Sequence, residues 1–173
     1  MAGPNGELDW SARDPKGEIA EYIRDSQSST GTFLFGRVTY EMMASFWPTP
    51  AGKAESPIFA KILNNSPKIV FSRTLKEATW ENTRLVREIT KEGIMKLKQQ
   101  PGNDMLILGS GTLVQQLTNL GLIDEYQLMV NPVILGSGKP LFKEVNSRID
   151  LKMEKAKTFG NGVVLLQYRR NGN

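Results

Sequence analysis

Three short, largely apolar runs that each end in a polar turn most constrain the fold of this chain. They cover residues 32–35, 68–71 and 105–108. Continuous apolar runs of this length are typical of strands that are buried on both faces, as the strands of parallel sheets are. Stretches with the apolar period of a helix lie between these runs. The sequence therefore predicts an α/β fold with a mainly parallel sheet.

The third run leads directly into Gly109-Ser110-Gly111 and then into an amphipathic pattern. The pattern predicts a helix that Thr112 caps, with apolar residues between positions 113 and 120 on its inner face. Glycines let the backbone turn tightly and approach a ligand closely, and the free amides at a helix start favour phosphate. The sequence thus indicates an anion site here, although an ordinary turn between strand and helix explains this pattern alone equally well.

The other elements are predicted from the same kinds of pattern. Helices are predicted over residues 14–27, 37–46, 56–63 and 88–100. Asp14-Pro15 starts the first of these helices, and Val38, Met42 and Phe46 form the inner face of the second. Residues 47–52 are predicted to form a loop. Further strands are predicted at residues 79–80, at 126–130 with a continuation through 133–135, at 150–159 and at 163–169.

Asn161-Gly162 separates the last two predicted strands and is typical of a hairpin turn. The sheet is therefore expected to be mostly parallel, with an antiparallel hairpin at its C-terminal end. The 173 residues are enough for one domain with a sizeable core, and no repeat or linker interrupts them.

The composition excludes several classes of chemistry. The chain has no histidine and no cysteine, so it has no Ser-His-Asp triad, thiol nucleophile or zinc–thiolate centre. No metal site is predicted. A bound cofactor that carries its own reactivity suits this set of residues best. Since no stretch reads as a membrane span or signal peptide, a cytoplasmic protein without a membrane partner is expected.

The net charge of +4 is compatible with a nucleic-acid surface or with an anionic small ligand. The basic residues are scattered and often have acidic neighbours, as in Lys91-Glu92 and Glu154-Lys155. This distribution favours a solvated surface over a stripe that binds nucleic acid, so no nucleic-acid partner is predicted.

Polar turns follow all three apolar runs and are expected to meet, because ligands of open α/β sheets collect at the carboxyl ends of the strands. Two of these turns carry an arginine, Arg37 and Arg73, and the third carries the glycines. A ligand with a pyrophosphate and a separate 2′-phosphate would use all three turns. Arginines that only make surface salt bridges are the alternative.

The sequence around these turns resembles a known family. Residues 36–41, 71–73 and 109–113 resemble the cofactor-binding turns of the dihydrofolate-reductase-like fold. Residues 122–125 and 132–142 resemble the riboflavin-biosynthesis reductase domain, which is the C-terminal half of a bifunctional deaminase-reductase. The resemblance implies a three-layer α/β/α sandwich and one reductase domain over residues 1–173.

The resemblance also implies an NADPH-dependent reductase that transfers a hydride to a small nitrogen heterocycle, pyrimidine- or pterin-like. The family activity that this sequence resembles most is the reduction of 5-amino-6-(5-phosphoribosylamino)uracil. The resemblance also leads us to expect a homodimer. The implied cofactor-binding residues are Gly36, Arg37, Thr39, Ser72, Arg73, Gly109, Ser110, Gly111, Thr112 and Leu113. The candidate substrate-binding residues are Trp10, Gly136 and Gly138.

Two departures from the family pattern leave alternatives open. Family members begin with a β-strand, whereas this sequence starts at a segment that resembles the following lid, so the family's first strand is expected to be absent. Dihydrofolate reductase places a carboxylate on its first helix, but none of Asp14, Glu18 and Glu21 matches it unambiguously. The catalytic residue is therefore unassigned. The alternatives are a non-catalytic module that binds a nucleotide or a partner, and a true dihydrofolate reductase.

Overall fold

Two units, each with its own sheet, make up the chain. The computed structural model describes residues 2–11, 17–27 and 30–171. The parallel unit comprises residues 15–113, and the antiparallel unit comprises residues 1–14 and 114–173. The predicted helix start at Asp14-Pro15 lies outside the described residues. The single reductase domain stays a prediction.

The parallel unit is built on a four-stranded sheet in the order β3-β2-β1-β4, in which all neighbours are parallel. Its strands are β1 Thr30–Gly36, β2 Lys68–Phe71, β3 Thr83–Val86 and β4 Asp104–Ile107. The three apolar runs thus form the three strands that the sequence predicts. β4 is only half-buried rather than buried on both faces, because it lies at the edge of the sheet.

The described residues contain six helices. They are α1 Glu18–Gln27, α2 Arg37–Phe46, α3 Pro50–Glu55, α4 Pro57–Asn65, α5 Lys91–Lys98 and α6 Gly111–Asn119. The predicted loop at residues 47–52 is wrong in its second half, because Thr49 caps α3 by accepting a hydrogen bond from the Gly52 amide. In the same way Thr90 caps α5, so this helix begins after residue 88.

The inner face of α2 differs from the prediction. Val38, Met42 and Phe46 are exposed, and Val38 retains 70% of its accessible surface. The buried residue of this helix is Tyr40, which packs into a core that also contains Phe33, Phe35, Leu63, Val70 and Trp80. Tyr40 also accepts a hydrogen bond from the Trp80 amide through its hydroxyl (2.9 Å), which selects this face.

Trp80 belongs to this core and not to a strand, so the predicted strand at residues 79–80 is wrong. The strand lies at β3, three residues further on, where Leu85 and Val86 are half-buried. The Trp80 indole donates to Asn64 Oδ1 (2.8 Å), and its ring packs against those of Phe35 and Tyr40.

Lys68, the first residue of β2, is buried at the amino end of the sheet. Its ammonium donates to the carbonyls of Leu63 (2.7 Å), Ser66 (2.7 Å) and Asn64 (3.3 Å), which end α4. It also lies 4.7 Å from the centre of the Trp80 ring. Desolvation by burial lowers the pKa of Lys68 to about 8, although Glu81 acts to raise it.

The antiparallel unit contains β5 Glu125–Val130, β6 Leu151–Thr158 and β7 Val164–Arg170, in the order β5-β7-β6. The predicted hairpin is confirmed, and its turn places Gly162 at φ +83°. The predicted continuation of β5 through residues 133–135 is wrong: this segment is irregular, and Ile134 is 97% exposed. The segment turns away from the ladder after Asn131-Pro132, since proline cannot donate to it.

The predicted α/β class, with a parallel sheet and an antiparallel C-terminal hairpin, is confirmed, but the hairpin belongs to a separate three-stranded sheet with β5. None of the helices in the described residues is long and apolar enough to span a membrane.

Candidate cofactor site

The carboxyl ends of the parallel strands lie in one row. Gly36 of β1 is in register with Phe71 of β2, which is in register with Val86 of β3. On the other side of β1, Leu34 pairs with Ile107 of β4. The turns that follow the four strands therefore share one edge of the sheet, which we call the carboxyl edge. This edge brings together the three polar turns predicted to meet.

The turns after β1 and β4 are joined by a hydrogen bond between residues 74 positions apart in the chain. The Gly36 amide donates to Ser110 Oγ at 2.9 Å. A Cβ on Gly36 would lie 2.4 Å from that oxygen, so only glycine permits this approach. Gly109 and Ser110 both adopt positive φ, at +66° and +63°, which is uncommon for serine. The two turns therefore form one close-fitting backbone cradle.

Helix α6 begins at Gly111, so the prediction that Thr112 caps it is wrong. Thr112 is exposed in the first turn, and Ser110, whose backbone is left-handed, directly precedes the helix. The Leu113 side chain is buried, so this residue could meet a ligand only through its backbone. The first amides of α6 have no acceptor within the helix, which suits an anion.

Arg37 and Thr39 lie in the first turn of α2, directly after the cradle. Arg37 is about half exposed and pairs with Glu41 one turn further on, at 3.1 Å. The methyl group of Thr39 lies 3.8 Å from the position that a Cβ on Gly109 would take. Both residues thus border the cradle that Gly36 and Ser110 form.

The turn after β2 presents Ser72 and Arg73 differently. Ser72 is buried, and its hydroxyl oxygen accepts from the amides of Thr74 (3.2 Å) and Leu75 (2.9 Å). The Arg73 side chain is 80% exposed, and its nearest ion-pair partner is Glu88 at 3.9 Å. Ser72 therefore shapes this turn, while the Arg73 guanidinium stays open to a ligand.

Sequence reasoning missed Arg87 at this edge. Its guanidinium donates to the carbonyls of Ser72 (3.4 Å), Leu75 and Lys76 (3.3 Å) and so spans the turn that carries Arg73. The missed signal is a basic residue directly after a strand end. It went unused because the strand was placed at residues 79–80 instead of 83–86.

The candidate substrate residues lie in the antiparallel unit, whereas all the predicted cofactor residues lie in the parallel unit. Trp10 is half-buried and donates from its indole to the Glu7 carbonyl (3.1 Å). Gly138 lies against the segment at residues 2–3, and a Cβ there would be 2.5 Å from the Ala2 oxygen. Gly136 is exposed, with φ +71°. Their substrate role stays a prediction.

Comparisons with known proteins agree with this architecture. Residues 1–165 match the family described as the RibD C-terminal domain. The chain belongs to the RibD C-terminal domain family. It is 36% identical to the uncharacterized protein YyaP of Bacillus subtilis (strain 168), over 99% of this chain and 89% of that protein. It is 29% identical to the uncharacterized protein YwjB of the same organism, over 95% and 88% respectively.

Solved structures show the same fold. A putative riboflavin biosynthesis protein from Shewanella sp. PV-4 superposes with a TM-score of 0.77 at 25% identity, covering 98% of this chain and 91% of that one. A pyrimidine reductase-like protein from Corynebacterium diphtheriae gives 0.63 at 13% identity, covering 99% and 90%. RibD from Acinetobacter baumannii gives 0.61 at 16% identity, covering 98% of this chain and 54% of that one. The predicted family and the dihydrofolate-reductase-like fold are thus confirmed.

The carboxylates whose contacts place them at the carboxyl edge are Glu41 and Glu88, and both pair with arginines. On α1, Glu18 and Glu21 are exposed, whereas Asp14 lies outside the described residues. The proton donor therefore stays unassigned.

Proposed function

We propose that this protein is an NADPH-dependent reductase that transfers a hydride to a small nitrogen-heterocyclic substrate. The observation that carries the proposal is the carboxyl edge, where a glycine cradle, helix starts and two exposed arginines lie in one row. Membership of the RibD C-terminal domain family supports a reductase-type fold.

The chemistry of these residues fits a doubly charged dinucleotide. Gly109, Ser110 and Gly111, with the first amides of α6, would hold the pyrophosphate, because the backbone there is open to close approach. Gly36, Arg37 and Thr39 would complete that subsite. These six residues would then serve one phosphate pair.

The 2′-phosphate of the adenosine would lie at Ser72 and Arg73. A guanidinium that is open to solvent can form a bidentate pair with a phosphate. When bound, NADPH supplies the hydride. The protein then has to orient the cofactor against the substrate and exclude water, which is where most of its contribution lies.

We infer a pyrimidine-like substrate, most like 5-amino-6-(5-phosphoribosylamino)uracil, because the structural neighbours include proteins described as riboflavin biosynthesis and pyrimidine reductase-like proteins. Trp10 would stack on the ring, and the backbone at Gly136 and Gly138 would approach its phosphate. We propose a homodimer in the cytoplasm as the working form.

Titration of NADPH against the purified protein, followed by cofactor fluorescence and by thermal shift, tests the proposal. We expect saturable binding, and we expect Arg73→Glu to weaken NADPH roughly a hundredfold while NADH, which lacks the 2′-phosphate, changes little. Lys61→Glu, an equal charge reversal on α4, is the matched control. Absence of binding at millimolar NADPH would overturn the proposal.

A non-catalytic module is the second candidate, because the carboxylates placed at the carboxyl edge are both occupied by arginines. It predicts NADPH binding without oxidation of the cofactor in the presence of the pyrimidine substrate. A true dihydrofolate reductase would instead oxidise NADPH with dihydrofolate. The absorbance of reduced nicotinamide, followed over time with each substrate in turn, distinguishes the three functions.

A further inference from the structure

Arg87 holds the loop that presents Arg73. The residue directly follows β3, next to the end of β2 at the carboxyl edge. Its guanidinium donates to main-chain carbonyls at both ends of the loop, Ser72 on one side and Leu75 and Lys76 on the other. Since arginine has five donors in a rigid fork, one side chain can bridge these oxygens, which lysine cannot do as well.

The loop is fixed from its other side by Ser72. The Ser72 amide donates to the Val86 carbonyl (3.0 Å), which ties the start of the loop to the end of β3. The Ser72 hydroxyl accepts from the amides of Thr74 and Leu75. The backbone on both sides of Arg73 is therefore held, while the Arg73 side chain itself is exposed.

We propose that Arg87 is a positioning residue that aims Arg73 and thereby determines specificity for the phosphorylated ribose. This inference rests on the proposed function. A bidentate pair between guanidinium and phosphate needs a defined direction of approach, and an unheld loop would spread Arg73 over many conformations. Arg87 removes that freedom before the ligand arrives, so its contribution appears only with a ligand that Arg73 contacts.

A role in loop stability alone makes a different prediction. In that case the loss of Arg87 would lower thermal stability and affect NADPH and NADH alike. The distinguishing measurement is therefore the ratio of the two dissociation constants and its dependence on Arg73.

The experiment measures dissociation constants for NADPH and NADH by fluorescence titration in wild type, Arg87→Ala, Arg73→Ala and the double variant. We expect Arg87→Ala to weaken NADPH roughly tenfold and NADH less than about twofold. In the Arg73→Ala background, Arg87→Ala should have no further effect on NADPH. Arg84→Ala, which removes an exposed arginine from β3, three residues before Arg87, is the matched control and should leave the ratio unchanged.

Arg87→Lys covers the case in which Arg87→Ala fails to fold, because it keeps the charge but loses the fork. It should shift the NADPH/NADH ratio in the same direction by a smaller factor. Equal losses for both cofactors, or additive losses in the double variant, would overturn the positioning role. If the wild-type protein binds NADPH but the Arg87 variants do not change the ratio of the NADPH and NADH dissociation constants, only this inference fails. If wild type binds no NADPH, the proposed function fails and the inference with it.

Discussion

The two ends of the parallel sheet use similar polar groups for opposite purposes. At the amino end, the Lys68 ammonium donates to three carbonyls and lies against Trp80. Asn64 accepts from the Trp80 indole and donates to the Trp47 carbonyl. Asn82, at φ +58°, donates to the carbonyls of residues 64 and 65. The Lys68 ammonium and the two side-chain amides thus make their hydrogen bonds inside the protein.

At the carboxyl end, Arg37 and Arg73 are directed outwards, whereas Arg87 donates to carbonyls of the loop after β2. Arg73 is largely exposed and Arg37 is about half exposed, each with one ion pair at the surface. Besides Arg87, the backbone there is held by the hydroxyls of Ser72 and Ser110, the second of which accepts from the Gly36 amide. A charged side chain therefore indicates a ligand site only where the fold leaves its hydrogen-bonding groups free. Changes at the amino end should cost stability, whereas changes at the carboxyl end should cost cofactor affinity.

The largest effect is expected from Lys68→Met. The substitution leaves the carbonyls at the end of α4 without their donor in a buried place, so we expect a loss of about 3–4 kcal/mol in the free energy of unfolding. Urea denaturation measures it, and NADPH affinity of the folded variant should be unchanged. Lys61→Met, at an exposed position on α4, is the control. A cofactor defect in folded Lys68→Met would break the comparison.

Stability should also depend on pH through Lys68. Its pKa in the folded protein is about 8 and its ordinary value is 10.5, so between these values the unfolded chain binds the proton more often than the folded one. The free energy of unfolding should therefore rise as pH increases from about 8 to 10.5, by up to about 3 kcal/mol. Denaturation curves across this range check it, with Lys68→Met as the reference in which this contribution is missing. A fall in stability relative to that reference would contradict the assignment.

At the carboxyl end, Gly36→Ala should separate the turns after β1 and β4. The added Cβ would lie 2.4 Å from Ser110 Oγ but 3.7 Å from Ser110 Cβ, so the hydroxyl has to rotate away and its hydrogen bond with the Gly36 amide is lost. We expect about 2 kcal/mol less NADPH binding free energy, because the cradle widens, and a smaller loss of stability. Isothermal titration measures the affinity. Gly102→Ala is the control for an added methyl group, because a Cβ there would meet no atom within 4 Å. The positive φ of Gly102 adds backbone strain to this control.

The smallest predicted effects separate two contributions of Ser110 to stability, which are the hydrogen bond of its hydroxyl and the strain of its left-handed backbone. Ser110→Ala keeps the strained φ of +63° and loses the hydrogen bond, so it should lower the free energy of unfolding by about 1 kcal/mol. Ser110→Gly loses the same bond but relieves the strain, so it should stay close to wild type. Thermal denaturation compares the pair. Equal stability of the two variants would mean that the left-handed conformation costs nothing here.

Much of the secondary structure could be predicted because its signals are local. The apolar runs at β1, β2 and β4 and the Asn161-Gly162 turn depend on neighbouring residues only. The face of α2 could not be predicted, because Val38, Met42 and Phe46 follow a helical period as well as Tyr40, Met43 and Trp47 do. Packing against Trp80 decides between them.

The sequence by itself determined the fold class, the family and the types of residue at the strand ends. Only the tertiary structure decided that Lys68 is internal and Arg73 open, that Gly36 meets Ser110, and that Arg87 spans the loop after β2. The physical reason is that strand pairing brings together residues far apart in the chain. Whether a polar group then finds a partner depends on those neighbours and not on its own surroundings in sequence.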